Sequence, residues 1–360
     1  MIFEVNRTDF RQTQLTDLPL TDLAAGQVRM TVERFAFTTN NITYAVAGDM
    51  LDYWGFFPAE QPWGRIPGIG LGSVIESANP NIAVGGRYFG FYPMAAQHIL
   101  TAEARGADAL RDIGPHRANH AVTYTDFRNV EADHTFNPHR VDEYLLLWGM
   151  FMTSFLVDDK LGDTDFSGAA QTLVTSASSK TSISLASCLA ARPGHRSVGL
   201  TSQRNRVFVE GLDLYDHVLT YDEVDQLDPS VPSGVVDMAG NATVRSAIHT
   251  HFGESLKFST AVGMTHWDAA PATEPLPGPT PEFFFAPGQR AKRVEEWGAQ
   301  ELDGRIDKAF RNLVAGSDHW LTVEHRLGPA GIEATYRDLL EGRANPAHGF
   351  VCSMGEKPLT

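Results

Sequence analysis

The sequence predicts an α/β protein in two parts, an all-β lobe followed by a doubly wound parallel sheet. Three observations carry this. The first third of the chain reads as short strands split by turns, the later part alternates short apolar strands with helical stretches, and residues 172–202 run as apolar strand, hydroxyl-rich turn, helix and second apolar strand. That last unit is the most informative, because its helix directs unpaired N–H groups and a positive dipole end at the turn, as a nucleotide diphosphate requires.

In chain order, residues 28–32, 72–76 and 85–91 are β-like, the last following the turn Asn79-Pro80-Asn81. A mostly apolar helical stretch at 142–161 then changes the pattern, so the boundary between the parts is expected between 120 and 145. Thr172-Leu173-Val174-Thr175 opens the alternating region, and residues 196–201, 217–219, 234–237 and 259–264 supply its further parallel strands. The proline-rich stretch 271–281 reads as an exposed loop before Phe283-Phe284-Phe285. Helices follow at 304–314, where Ile306, Phe310 and Leu313 share a face, and at 332–340; residues 349–353 form a strand returning to the β lobe. The expected division is a β lobe over 1–135, a dinucleotide domain over 136–300 and a C-terminal segment over 301–360.

Composition narrows the function. A net charge of −15, from 44 acidic and 29 basic residues, disfavours nucleic acid as a partner. Two cysteines, Cys188 and Cys352, build neither a disulfide framework nor a cysteine-rich zinc site and read as buried thiols. The longest apolar stretch, 144–157, is too short to span a membrane, and the N-terminus has no secretory pattern, so a cytoplasmic protein without a membrane partner is expected. Gly-x-x-x-x-Gly-Lys, Tyr-x-x-x-Lys and Gly-x-Ser-x-Gly are all missing, which disfavours a kinase-type phosphate loop, a short-chain dehydrogenase and a serine hydrolase.

Four further pieces occur in order: Gly85-Gly86-Arg87-Tyr88-Phe89-Gly90, the run from Asp213-Leu214-Tyr215-Asp216 to Thr220-Tyr221, Val235-Val236-Asp237-Met238-Ala239-Gly240, and the strand at 258–263. Together they resemble the medium-chain dehydrogenase/reductase superfamily over nearly the whole chain. Within it, Thr39-Asn40-Asn41-Ile42-Thr43-Tyr44 and Ser176-Ala177-Ser178-Ser179-Lys180-Thr181 resemble a bacterial subfamily without an assigned substrate. The resemblance implies a GroES-like β-barrel lobe, a Rossmann-type domain, NADP(H) as cofactor, and a homodimer joined through sheet edges near 258–263 and 283–285.

It also implies the sites. The superfamily's three loop glycines fall on Ser176, Ser179 and Ser182; serine changes the geometry least and offers a hydroxyl to phosphate. Lys180 opposes the helix dipole unless an anion is bound, though a solvated lysine on an ordinary turn is the bland alternative. After the second strand, Thr201-Ser202-Gln203-Arg204-Asn205-Arg206 contains no acid for ribose hydroxyls, which favours NADP over NAD. The expected cofactor-binding set is Ser176, Ser178, Ser179, Lys180, Thr181, Ser202, Arg204, Asn205, Tyr221, Gly240 and Gly263. Gly68-Ile69-Gly70 occupies the place of the zinc-ligating motif, so the chain is similar to the zinc-free quinone oxidoreductase and enoyl reductase branch, with no metal expected. His249 and His251, two apart, and the group His116, His120, His134 and His139 have poor ligand spacing.

Without metal, a side chain must protonate the substrate. Tyr53 is the first candidate and Tyr44 the second, with Asn41 orienting the nicotinamide or substrate oxygen; a phenol stays protonated at neutral pH. Against this, Tyr53-Trp54-Gly55-Phe56-Phe57 reads equally as an aromatic wall. Trp148, Phe151 and Phe155 have helical spacing, which favours core packing for at least two of them. The expected function is NADPH-dependent reduction of an activated C=C, quinone or carbonyl on a fairly apolar small molecule. The alternative is a noncatalytic NADPH-binding sensor or interaction protein.

Overall fold

The computed structural model describes residues 1–19, 21–238, 240–262 and 276–355. Contacts divide the chain into one unit of Met1–Leu146 with Thr322–Thr360 and a second of Leu147–Leu321.

In the first unit six strands pair in the order Gln27–Phe37, Pro67–Ser77, Arg87–Pro93, Asp126–Asn129, Ala109–Asp112 and Gln97–Arg105, and the last pairs back onto the first. The result is a closed barrel, which removes exposed edges. Closure demands bending, and Gln27–Phe37 supplies it through register shifts at Arg29/Met30 and Val32/Arg34. Gly70 lies in Pro67–Ser77, where a Cβ would come 2.9 Å from the Arg34 carbonyl and 3.1 Å from the Tyr92 ring. Close strand packing therefore explains this glycine. Strand His348–Ser353 returns to pair with Gln27–Phe37, as expected, and with Thr322–Leu327.

The second unit holds a parallel sheet in the order His217–Thr220, Arg196–Thr201, Gln171–Val174, Ser233–Asp237, Leu256–Ala261 and Glu282–Phe283. Counted along the chain this is 3-2-1-4-5-6, the order of two mononucleotide-binding halves, and ligands of such sheets sit beyond the strand ends where the order reverses. The reversal falls between Gln171–Val174 and Ser233–Asp237. Alternation along Gln171–Val174 buries Val174 with Leu156, Val157, Leu185 and Val236 on one face, and Leu173 with Val198, Leu200, Val235 and Ile248 on the other. Each such side chain contributes roughly 1.5–3 kcal/mol on burial.

The unit boundaries depart from the expected 135/136 and 300/301. The first falls inside helix Val141–Asp163, and helix Ala299–Ser317 belongs to the second unit. Its buried face, Leu302, Ile306, Phe310 and Leu313, explains this: the Phe310 ring meets Trp148 at 4.9 Å and Phe151 at 5.3 Å. Those contacts also bear out core packing for Trp148 and Phe151. Helix Ala286–Trp297 escaped the sequence reading, although Pro287 near its start is a recognised N-terminal signal. Strand Leu256–Ala261 begins earlier than expected; residues 263–264 of that prediction and 271–275 of the proline-rich stretch lie outside the described residues, and 276–281 form neither helix nor strand. Both cysteines are buried and free, and burial pushes the Cys352 thiol up to about 12. Among the described residues no helix is long and apolar enough to cross a membrane.

Candidate functional site

At the sheet's reversal point the chain ties its own strand ends together. Thr175, just past Gln171–Val174, donates its hydroxyl to Asp237 Oδ1 at 2.9 Å and accepts from Met238 N at 2.9 Å. Asp237 also accepts from Gly240 N at 3.0 Å, with Arg245 at 3.2 Å from its other oxygen. This buried carboxylate bridges two neighbouring strands and the turn leaving one of them.

The turn that follows is the predicted phosphate loop. Ser176, at the first glycine position, takes φ 49°, left-handed backbone that favours glycine. Its N–H donates to the Tyr221 hydroxyl at 3.2 Å, and Tyr215 donates to the Ala177 carbonyl at 3.1 Å, so two phenols hold the turn. Ser178 Oγ accepts from Asn205 Nδ2 at 2.9 Å. Ser179 caps helix Lys180–Ala190 by accepting from Ser182 N at 3.1 Å and donates to Ser182 Oγ at 2.9 Å, which donates to Thr175 O at 2.8 Å. The second and third serines thus use their hydroxyls to build the turn. Ser154 fixes the helix start through the Thr181 carbonyl at 2.7 Å. Lys180 lies in the first turn, half-buried, and loss of solvent pushes its amine down to about 8.

Beyond strand Arg196–Thr201, Ser202 precedes the short turn Gln203–Asn205 and accepts from Asn205 N at 2.9 Å. Arg206 commits its guanidinium to Glu210 at 2.9 Å and Glu223 at 2.8 Å, whereas Arg204 is exposed. A positive helix end, a lysine amine and an exposed arginine together suit phosphate groups. Gly240 is left-handed at φ 71°, and Gly263 lies outside the described residues.

The candidate proton donors lie in the first unit. Asn41 accepts from Thr38 N at 2.7 Å, capping helix Thr39–Val46, and donates to Pro67 O at 2.8 Å. Both ends of its amide are therefore employed structurally. Tyr44, on that helix, and Tyr53, on the turn Tyr53–Phe56, meet with ring centroids 4.8 Å apart and planes tilted by 58°. Tyr53 Oη lies 3.4 Å from Tyr124 Oη. Burial pushes the Tyr53 phenol far above the ordinary phenol range, with the Tyr124 and Tyr44 oxygens adding to it; burial does the same for Tyr44. Trp54, Phe56 and Phe57, which follow Tyr53, are core residues.

His249 uses Nδ1 on Pro277 O at 2.8 Å and Nε2 on Ser259 Oγ at 2.9 Å, while His251 bonds Leu227 O at 2.8 Å. Their partners lie on different segments, in keeping with positions two apart on a helix. Among the described residues, no group of three or more histidine, cysteine or acidic side chains is placed to hold a metal.

A family model described as "Protein of unknown function (DUF2855)" matches residues 35–345. The chain belongs to the DUF2855 family. No curated protein matches this DUF2855 chain by sequence. Solved structures similar in fold include CurA from Vibrio vulnificus, at 12% identity and TM-score 0.62 over 99% of each chain. The yhdH oxidoreductase from Salmonella enterica in complex with NADP is similar at 15% identity and TM-score 0.57 over 95% of each chain. YhdH of E. coli K-12 with bound NADPH is similar at 15% identity and TM-score 0.58, over 99% of this chain and 100% of that one. The fold implied by the resemblance to medium-chain reductases is the fold found.

Sequence reading missed Tyr215, Thr175, Tyr124 and the bridging role of Asp237 in this DUF2855 chain. Asp237, Tyr215 and Thr175 all lie inside the motifs and strand runs named above, which mark their position but not their hydrogen-bonding role. Tyr124 stands in a polar stretch with no periodicity, and only tertiary structure brings it to Tyr53.

Proposed function

We propose that this protein is an NADPH-dependent oxidoreductase that works without zinc and reduces an activated C=C, quinone or carbonyl on a fairly apolar small molecule. The observation that carries the reading is the turn Ser176–Thr181, with Lys180 in its helix start, at the reversal point of a 3-2-1-4-5-6 parallel sheet. Support also comes from fold relatives holding NADP or NADPH. When bound, the nucleotide supplies hydride.

Ser176, Ser178, Ser179, Lys180 and Thr181 border the diphosphate, and Tyr221 holds the turn from beneath. Gly240, in the turn after strand Ser233–Asp237, and Gly263 complete the proposed cofactor-binding set. Arg204, with Ser202 and Asn205, meets a 2′-phosphate; Arg206, held by two carboxylates, orders that segment instead. The phenols around Tyr53 and Tyr44 hold and deliver the proton, and Asn41 fixes the helix bearing Tyr44. Zinc independence is supported by the residue types at Gly68-Ile69-Gly70, which offer no ligand.

A second reading, an NADPH-binding protein without turnover, draws on the engaged Ser176 amide and Ser179 hydroxyl. Following NADPH oxidation against enones, quinones, enoyl thioesters and aldehydes separates the two. Binding without turnover across the panel selects the second reading, and turnover of any class selects the first. A homodimer through the sheet edge fits the half-exposed Phe283 and Phe285. A cytoplasmic location fits the acidic, cysteine-poor composition, and cell fractionation tests it.

A further inference from the structure

The turn bearing Tyr53 is gripped by one neighbouring segment, residues 112–125, at three points. Tyr124 Oη lies 3.4 Å from Tyr53 Oη. Arg117 donates to the Phe56 carbonyl at 3.2 Å and also to the Tyr124 carbonyl, so one guanidinium holds the backbone of both phenol-bearing turns. His120 Nε2 lies 3.0 Å from Asp52 Oδ2 and 3.1 Å from Asp52 O, fixing the left-handed residue just before Tyr53. Arg117 sits 4.5 Å over the Phe56 ring and 3.5 Å from Asp112, and both charged side chains are 1% exposed. Desolvation pushes the guanidinium down to about 10, with Asp112 opposing that shift. Burying an arginine and an aspartate is costly, and replacement by apolar residues is often neutral or better, so stability alone does not account for the pair. What it does here is fix the spacing of two hydroxyls.

The two phenols are not equivalent. Tyr53 is 9% exposed and Tyr44 8%, while Tyr124 is only half-buried, the most open of the three. We propose that Tyr124 is the phenol that hands the proton to the substrate oxygen, that Tyr53 donates to Tyr124 Oη as charge develops there, and that Arg117 is a positioning residue for the pair. This rests on the oxidoreductase reading and narrows its substrate to a conjugated acceptor bearing oxygen, such as an enone, enal or quinone. The substrate accepts hydride from the reduced pyridine nucleotide at one carbon and its π electrons move to oxygen. The Tyr124 O–H bond breaks as the new O–H bond forms, leaving a phenolate that water reprotonates. The nucleotide is oxidised and the acceptor reduced. Consistently, burial raises the Tyr124 phenol while the Tyr53 hydroxyl draws it back down, whereas Tyr53 is raised by burial and by both other phenols. The charged or titratable groups around the pair are Tyr44, His120, Asp52, Arg117 and Asp112.

The test uses the full chain labelled with 3-fluorotyrosine, free of nucleotide, its nine tyrosine 19F signals assigned by single Tyr→Phe variants. Tyr53→Phe should move the Tyr124 titration to higher pH, and Arg117→Lys should shift the Tyr53 and Tyr124 signals together. In steady-state kinetics with an enone, Tyr124→Phe should lower kcat by roughly 100-fold or more with NADPH affinity within about twofold of wild type. A Tyr124 signal untouched by Tyr53→Phe, in a chain that binds NADPH, overturns the phenol pair alone. So does a wild-type kcat in Tyr124→Phe. Failure of the wild-type chain to bind NADPH overturns the parent reading and the reaction role together. The other eight Tyr→Phe variants assign the Tyr124 signal by elimination, so the fluorine measurement decides the matter even if Tyr124→Phe does not fold.

Discussion

At the scale of single residues, Lys180 makes the sharpest claim. Its folded amine titrates near 8 against an ordinary 10.5, because desolvation disfavours the charge. Between those values the unfolded chain binds more protons here than the folded chain, so this residue's contribution to stability rises with pH across that window. Nucleotide binding runs the other way. Affinity should be steady below about pH 8 and fall above it, by up to about tenfold per pH unit, as the ammonium is lost. Lys180→Met should abolish that fall and stabilise the unliganded chain at neutral pH, as calorimetry and thermal melts would show. Ser176 offers a second test. Its left-handed φ costs a serine about 1 kcal/mol, and glycine carries a comparable entropic cost. Ser176→Gly should therefore leave stability within about 1 kcal/mol of wild type; a loss above about 2 kcal/mol would mean the hydroxyl has a role beyond local geometry. The residue types of this loop were legible in the sequence. That Ser179 and Ser182 bond each other was not, since hydroxyl direction follows from a fold already formed.

At the scale of elements, Asp237 joins what periodicity showed only as separate strands. Removing it leaves the Thr175 hydroxyl, the Gly240 amide and Arg245 without a shared partner at the ends of adjacent strands. Asp237→Ala should cost about 2–4 kcal/mol in denaturant unfolding and weaken nucleotide binding by more than its effect on the rest of the fold. Unchanged NADPH affinity would detach this bridge from the site. The core strands and helices Val141–Asp163 and Gly328–Leu340 were readable because apolar runs and a 3.6-residue period mark them. Helix Ala286–Trp297 was not, because it buries little besides Arg293 and so lacks an apolar stripe.

At the scale of the whole molecule, strand order decided the functional reading, and order is a tertiary property. Alternating strands and helices announced a parallel sheet; the order 3-2-1-4-5-6 came only with the fold. Assignment of helix Ala299–Ser317 to the second unit likewise depended on what its apolar face meets, which spacing leaves open. The edge strand Glu282–Phe283 carries the dimer proposal: sedimentation should give a dimer, and Phe283→Glu should shift it to monomer. Monomer in the wild type would remove that proposal and leave the nucleotide site standing.

The central claim is an anion-binding turn that takes a pyridine dinucleotide bearing a 2′-phosphate. Isothermal titration of the full chain with NADPH and NADH, beside Lys180→Met, tests it most directly. The account predicts one nucleotide per chain, NADPH bound more tightly than NADH, and about tenfold weaker binding in the variant at neutral pH. Tighter binding of NADH, or no heat from either nucleotide with folded protein, would contradict it.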